Sequence, residues 1–292
     1  MEFQITKEYL GFATHLAYLG PLYEEVLRAD TQVQGAGSTV ARVIDGTLYR
    51  GVPGRSALTG IAGVANIGSD RNWSGSHFDQ ANWYAFGRLS WDPMQASREI
   101  AEEWTRMTFG NAPGVVEPIV GMMMGSREAV VDYTGALGLH HLMGRGHHYG
   151  PGPWVEGGPR ADWTSVYYHR ATPEGIGFDR SRRGSDAVSQ YAPPVADVFD
   201  DPDRVPEDLL LWFHHVPWTY QMRNGNTLWD ELCYRYDAGV SDARHFQKQW
   251  DELEAYVDKE RFLDVQKRLA IQSHDAVWWK DACLLYFQTF SN

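Results

Sequence analysis

Residues 58–67 of the chain, LTGIAGVANI, form a continuous run of small and β-branched residues. Such a run is typical of a strand that is buried on both faces, as strands are in a parallel sheet. A second short strand is predicted at Glu2–Thr6, where Phe3 and Ile5 alternate with polar residues. The two predicted strands, separated by helical sequence, indicate the end of a fold that repeats a strand followed by a helix.

Helical segments are predicted between these strands. An apolar loop begins at Tyr9 and leads into a helix that ends near Arg28. Ser38 or Thr39 is a suitable N-cap for the next helical stretch. The sequence GVPGRS at 51–56 is rich in turn-forming residues and predicts an exposed loop.

From about residue 80 onward the sequence predicts helices and one long loop region. Asp92 is expected to cap a helix with Pro93 at its first position, and Val115–Val131 predicts another helix. Thr227 is the expected cap of a long helix near the C-terminus. Two sets of apolar residues recur at helical spacing. The first, which shares one helix face, is Ile100, Trp104 and Met107, and the second is Phe262, Val265, Leu269, Ala276, Trp279, Cys283 and Tyr286.

Composition excludes several classes of function. The net charge is −12, and Arg180, Arg182 and Arg183 are the densest group of basic residues in the sequence. A partner rich in phosphate needs a concentrated basic surface, so neither nucleic acid nor an anionic membrane is expected as a partner. No apolar run approaches the roughly 20 residues of a membrane-spanning helix. Two cysteines are too few for a disulfide framework.

Aromatic residues make up 13% of the chain, and many of them lie in the loop-rich stretch at 138–201. Aromatic rings form cores, and they also stack on the apolar faces of sugars. The same region carries pairs of histidines, such as His147 and His148. Adjacent histidines rarely face one ion, and no HExxH motif is present, so a metal site is not expected.

Four stretches of the chain together resemble one family, the bacterial α-glucuronidases of glycoside hydrolase family 67. They are FQITKEYLGFATHL, GIAGVANIGSDRNWSGSHFDQANWYAFGRL, GLHHLMGRGHHYGPGPW and WWKDACLLYFQTFS. The resemblance extends essentially from Glu2 to Asn292. It implies hydrolysis of the α-1,2 bond that joins 4-O-methyl-glucuronic acid side chains to xylooligosaccharides, with inversion and without a cofactor or metal.

The resemblance also implies how the chain is organised. Residues 1–84 are expected to be the last strands and helices of a (β/α)8 barrel, and residues 85–292 a mainly helical C-terminal domain. We therefore expect the chain to be the C-terminal portion of a longer enzyme. Because half a barrel leaves sheet edges unpaired, we also expect low stability when the chain is isolated.

Glu8 is the expected catalytic carboxylate. It follows the first predicted strand by two residues, which places it at the rim where barrel enzymes hold their chemistry. By the resemblance, the Glu of the motif KEYLG is one of two carboxylates proposed as the base. The other, an Asp, and the general acid precede Met1, so the isolated chain is expected to be inactive. Glu8 could instead be an acid that stabilises a helix N-terminus.

Further residues are candidates for substrate binding. Glu2 would point at substrate hydroxyls, or it would be a frayed residue at the chain start. Asp70 and Arg71 follow the second strand and could contact the sugar or pair with each other. Trp154 and Trp163 could each stack on the sugar or fill the core beneath the loop. His147 is expected at the edge of the site.

The resemblance implies a homodimer formed through the C-terminal helices, and we expect a cytoplasmic location. The alternative to an enzyme portion is a helical module that dimerises or binds substrate without catalysis of its own. Aromatic faces on the helices between Thr227 and Phe290 are compatible with this alternative.

Overall fold

The computed structural model describes residues 1–53, 60–69 and 71–291. The described chain is mainly helical, and its strands are β1 (Glu2–Gln4) and β2 (Ala62–Val64). The helices are α1 (Gly20–Arg28), α2 (Val40–Ile44), α3 (His77–Trp91), α4 (Ser97–Phe109), α5 (Pro113–Gly135), α6 (Ser165–His169), α7 (Pro193–Phe199), α8 (Leu210–Phe213), α9 (Leu228–Asp251) and α10 (Lys259–Ser291). Within the described residues, none of these helices is both long and apolar enough to cross a membrane.

The two predicted strands pair in parallel, with Phe3 opposite Gly63. The prediction that the second strand is buried on both faces is wrong, because all three residues of β2 are exposed. In the described part of the chain β1 is the one strand hydrogen-bonded to β2, so its other edge has no strand beside it. Residues 58 and 59 of the predicted strand, and residues 54–56 of the predicted loop, lie outside the described residues.

The chain divides into two compact units. The first comprises Met1–Lys7, Ala13–Arg127 and Phe246–Ala270, and the second comprises Glu8–Phe12, Glu128–His245 and Ile271–Asn292. The domain boundary expected from the sequence, between residues 84 and 85, stays a prediction.

Helix starts follow the capping rules at several positions. Thr39 caps α2 by accepting a hydrogen bond from the Arg42 amide, as predicted. Thr227 accepts from the Asp230 amide at 3.2 Å and its hydroxyl donates to the Asp230 carboxylate at 2.8 Å, which confirms the cap of α9. The sequence also predicted helices in the regions of α1, α5 and α10, and the structure confirms them.

The predicted cap at Asp92 is wrong. Asp92 follows the last residue of α3, and α4 begins five residues later at Ser97. The residue before a proline is driven out of the helical region, and the Asp92 side chain accepts from the Met94 amide to form a turn. In α4, Ile100 and Trp104 are buried, whereas Met107 is 65% exposed.

An aromatic cluster forms the core of the first unit around Trp250, which is fully buried. The Trp250 ring stacks on Phe262 at 6.0 Å and meets the edges of Phe78 and Phe109 at 6.0 and 5.6 Å. Its indole N–H donates to the Phe262 carbonyl at 3.0 Å, so the polar atom is satisfied inside the core. The same unit holds a buried ion pair between Lys7 and Asp79 at 2.9 Å.

His169 is a fully buried histidine in the second unit. Its Nε2 lies 2.8 Å from the Pro153 carbonyl, and its Nδ1 accepts from the Ala171 amide at 2.9 Å. This pattern needs a neutral ring with the proton on Nε2. Burial lowers the pKa of His169 to about 4, a shift that the Pro153 carbonyl opposes.

Acidification is therefore expected to remove the contribution that neutral His169 makes to the stability of the second unit. The unfolded chain takes up the proton near pH 6.5 and the folded chain only near pH 4, so stability that is complete above pH 6.5 is lost as the pH falls to about 4. The loss is on the order of 3 kcal/mol. Asp132, whose pKa burial raises to about 7, contributes in the opposite direction.

The variant His169→Gln removes the titrating imidazole and retains Asp132. Its comparison with the unaltered chain therefore isolates the contribution of His169. Urea unfolding at several pH values should show that the stability difference between His169→Gln and the unaltered chain shrinks as the pH falls from 6.5 to 4. A difference that stays constant over this range would contradict the role given to His169.

Candidate active site

The site is built on a loop of the second unit that runs from Leu142 to Gly152. The loop folds back on itself, with hydrogen bonds of 2.8 Å from the Gly144 amide to the Gly150 carbonyl and from the Gly152 amide to the Leu142 carbonyl. A Cβ on Gly152 would lie 2.6 Å from the Gly144 Cα, so the close approach of the two sides requires glycine. The tip of the loop carries His147 and His148.

His148 joins this loop to the segment Glu8–Phe12. Its Nδ1 lies 2.5 Å from a carboxylate oxygen of Glu8, and its ring stacks on Tyr9 with 4.9 Å between centroids. Glu8 and His148 are both partly exposed. A carboxylate and an imidazole in direct contact form a pair that can hold and move a proton.

Tyr149, the next residue of the loop, anchors the tip. Its hydroxyl donates to the carboxylate of the buried Asp275, and its carbonyl accepts from the Trp279 indole at 3.1 Å. Its ring stacks on Phe12 at an interplanar angle of 7°. Because α10 supplies Asp275 and Trp279, the position of the loop tip depends on packing far along the sequence.

A cavity of about 480 Å³ opens between this loop and its neighbours in the second unit. This volume lies within the range of small-molecule sites. Aromatic and histidine rings, one arginine and several glycines line it: Tyr9, His141, Met143, Gly144, Arg145, Gly146, His148, Val155, Gly157, Gly158, Pro159 and Trp163.

The electrostatics of the cavity favour neutral histidine and one fixed cation. Burial and the neighbouring His148 lower the pKa of His141, an effect that Asp162 opposes. The Arg145 guanidinium donates to the carbonyls of Glu156 and Gly157. A neutral imidazole and an arginine suit hydroxyl and carboxylate groups of a ligand. Among the described residues no group of three or more acidic, histidine or cysteine side chains could hold a metal ion.

The sequence-predicted site residues fall into three groups. Glu8 touches His148, a cavity residue, and Trp163 lines the cavity with a 58% exposed ring. Trp154 and His147 belong to the same unit: Trp154 is exposed and meets the edge of Tyr286, and the Nδ1 of His147 accepts from the Gly150 amide.

Glu2 and Arg71 are exposed residues of the first unit, where Glu2 begins β1. Asp70 lies outside the described residues. The substrate-binding roles of Glu2, Arg71 and Asp70 stay predictions.

Sequence reasoning missed Tyr9, His141, Arg145 and His148. Tyr9 follows Glu8 directly, and the three others lie within the loop-rich region that carries the histidine pairs. The pairs alone did not indicate which histidine meets Glu8, because that contact joins residues 140 positions apart.

A carboxylate paired with a histidine can transfer protons, and exposed aromatic rings around an open cavity can pack against a sugar. The chain matches the profile described as "Glycosyl hydrolase family 67 C-terminus" over residues 74–292 and the profile described as "Glycosyl hydrolase family 67 middle domain" over residues 1–73. The chain therefore belongs to glycosyl hydrolase family 67.

Fungal proteins are among the curated relatives of the chain. It is 38% identical over 285 residues to "Probable alpha-glucuronidase A" of Aspergillus niger, a match that covers 97% of this chain and 33% of the relative. The chain is 36% identical over 294 residues to "Probable alpha-glucuronidase A" of Aspergillus terreus, a match that covers 100% of this chain and 34% of the relative. It is 37% identical over 293 residues to "Alpha-glucuronidase A" of Emericella nidulans, a match that covers 98% of this chain and 33% of the relative. The chain spans about a third of the length of these relatives.

Proposed function

We propose that the chain is the C-terminal portion of an inverting α-glucuronidase that removes 4-O-methyl-glucuronic acid side chains from xylooligosaccharides. The contact between Glu8 and His148 beside the cavity is the observation that carries this proposal. The family and the names of the relatives support the same reaction.

In this proposal Glu8 supplies the basic function that activates water. Inversion also needs a carboxylic acid about 6.5–9.5 Å from the base to protonate the leaving oxygen. By the family resemblance, that acid belongs to the part of a (β/α)8 barrel that precedes Glu2 in the longer enzyme. The 292 residues alone are therefore expected to bind the sugar without turning it over.

The cavity lining supports a uronic acid as the bound sugar. Trp163 and Tyr9 offer ring faces to the apolar side of a pyranose, and His141 can bond to its hydroxyls. Arg145 uses one guanidinium nitrogen for the two carbonyls that it contacts. Its remaining N–H groups can bind the carboxylate of the sugar.

Binding of glucuronate by the chain itself tests the proposal. Calorimetric titration should show tighter binding of D-glucuronate than of D-glucose, and Arg145→Gln should weaken glucuronate binding about 10- to 100-fold, the value of a charge-assisted hydrogen bond. Glucose binding should change little in this variant. Arg244→Gln, an exposed arginine of α9, is the matched control. Equal affinity for the two sugars would count against a uronate site.

We also propose that the chain forms a homodimer through α10. Ile271, Trp278 and Leu285 are exposed and recur every seven residues, so they form one apolar stripe on this helix. Light scattering at micromolar concentration should give the mass of a dimer, and Leu285→Glu should give a monomer. Trp91→Glu, an exposed apolar residue of α3, should leave the dimer intact. A monomeric unaltered chain would overturn this proposal.

A further inference from the structure

A second cavity in the second unit has a volume of about 370 Å³, which also lies within the range of small-molecule sites. It shares no lining residue with the cavity beside Glu8 and His148, so the two are separate features of the unit. Its lining combines three carboxylates, two imidazoles and one guanidinium, which belong to Asp179, Asp200, Asp201, His214, His215 and Arg183.

The backbone that carries the two imidazoles is tightly packed. The backbone groups of Ile176 and Val216 exchange two hydrogen bonds of 3.0 Å. A Cβ on Gly177 would lie 2.1 Å from the His214 carbonyl oxygen, so this close approach requires glycine. Nδ1 of His215 lies 2.8 Å from the Gly177 carbonyl oxygen, and this contact fixes the ring. The imidazole side of the cavity is therefore formed before any ligand binds.

His214 brings a buried polar atom without a partner to this cavity. The residue is only 6% exposed, and its Nε2 has no hydrogen-bond partner within the part of the chain that the structure describes. Burial lowers the pKa of His214, an effect that the Phe199 carbonyl and the three cavity carboxylates oppose, so the ring is neutral near pH 7. A buried polar atom without a hydrogen bond is costly and rare in proteins. A ligand in the cavity would supply the missing bond.

The charged groups of the lining are only partly engaged by their neighbours. Asp200 is paired with Arg182, whose amide and guanidinium donate to it at 2.7 and 3.1 Å. Asp201 accepts from the Asp203 amide at 3.0 Å through Oδ1, and among the described residues its Oδ2 has no hydrogen-bond partner. The exposed guanidinium of Arg183 likewise makes no hydrogen bond or ion pair with any residue that the structure describes. A ligand therefore meets a free acceptor and free donors in one cavity.

These groups favour hydroxyls over charged ligand groups. A ligand carboxylate or phosphate would be repelled by three aspartates, and an ammonium would be repelled by Arg183. A hydroxyl both donates and accepts, so it can bond to a carboxylate, to a guanidinium and to either tautomer of a neutral imidazole. A ligand with several neighbouring hydroxyls and no charge satisfies all of them together.

We propose that this cavity is a second carbohydrate site, which binds an uncharged sugar through hydroxyls that bond to Nε2 of His214, to Asp201 and to Arg183. The inference goes beyond the proposed glucuronidase function and does not depend on it. It assigns uncharged sugars to this cavity and the uronic acid to the cavity lined by Arg145.

Calorimetric titration of the chain with xylotriose, an uncharged oligosaccharide, tests the assignment. Binding should be saturable, and Asp201→Asn and Arg183→Gln should each weaken it at least about tenfold, the value of a charge-assisted hydrogen bond. Asparagine keeps the oxygen that accepts from the Asp203 amide, and Arg183 is exposed, so both variants should fold. Arg244→Gln, an exposed arginine of α9, is the control and should bind xylotriose as the unaltered chain does.

The two cavities can be told apart by their ligands. D-glucuronate should bind the Asp201→Asn and Arg183→Gln variants as it binds the unaltered chain, whereas Arg145→Gln should weaken glucuronate binding and leave xylotriose binding unchanged. If Arg145→Gln alone weakens xylotriose binding, the oligosaccharide occupies the other cavity, and this inference fails while the proposed function stands. No binding of xylotriose, or tighter binding of 1,4-diaminobutane at this cavity, would also overturn it.

Nuclear magnetic resonance of the ¹⁵N-histidine-labelled chain gives a reading at His214 itself. Its ring nitrogens, assigned by comparison with His214→Gln, should shift when xylotriose is added, because Nε2 gains a hydrogen-bond partner. The same signals should stay in place when D-glucuronate is added. Unchanged His214 signals at saturating xylotriose would contradict the proposed contact.

Discussion

Glu8→Gln is expected to abolish most of the turnover of the full-length parent enzyme. Glutamine has the shape of glutamate and can still bond to His148, but its amide is not a base. The loss of base function should lower kcat by about 100- to 10,000-fold. KM should change little, because the residues that line the cavity are unaltered.

The choice of substrate makes this test sharper. Loss of the base slows attack by water whatever the leaving group. The ratio of the Glu8→Gln rate to the parent rate should therefore be about the same for an aryl glucuronide with an activated leaving group as for the oligosaccharide. Loss of a general acid would instead spare the activated substrate. Glu117→Gln, an exposed glutamate of α5, is the control. Full turnover by Glu8→Gln would remove Glu8 from the mechanism.

Trp250→Ala is expected to produce the largest loss of stability. The substitution empties the centre of the aromatic cluster formed with Phe78, Phe109 and Phe262, and it removes the hydrogen bond from the indole N–H to the Phe262 carbonyl. Truncation of a buried tryptophan costs about 3–5 kcal/mol, and the lost hydrogen bond adds about 1 kcal/mol. A total near 5 kcal/mol is comparable to the whole stability of many domains, which is about 5–15 kcal/mol.

Two comparisons divide this effect into its parts. Trp250→Phe keeps most of the ring volume and removes the indole N–H, so it should cost less than half as much as alanine. Trp91→Ala removes a 92% exposed ring in the same unit and should change the free energy of unfolding by less than about 0.5 kcal/mol. Urea unfolding measures all three. Equal costs for the alanine variants at 250 and 91 would show that the cluster is not the core of this unit.

Local rules of the sequence predicted much of the helical structure. The caps at Thr39 and Thr227 depend on hydrogen bonds between residues three positions apart, and α10 depends on apolar spacing within one helix. The error at Asp92 arose where two local rules compete, since an aspartate before proline also forms a turn. The error at β2 arose because an apolar run shows that a strand can be buried but not what lies beside it.

The sequence by itself indicated the family, through long motifs, and the resemblance singled out Glu8 as a candidate catalytic residue, a role that stays a prediction. Tertiary structure alone decided that His148 of the histidine pair meets Glu8 and that Trp163 rather than Trp154 lines the cavity. These choices depend on the loop that Gly144 and Gly152 close and on the bonds from Tyr149 to α10. The physical reason is that contacts between residues more than a hundred positions apart are set by the packing of the whole unit, which no local pattern of side chains encodes.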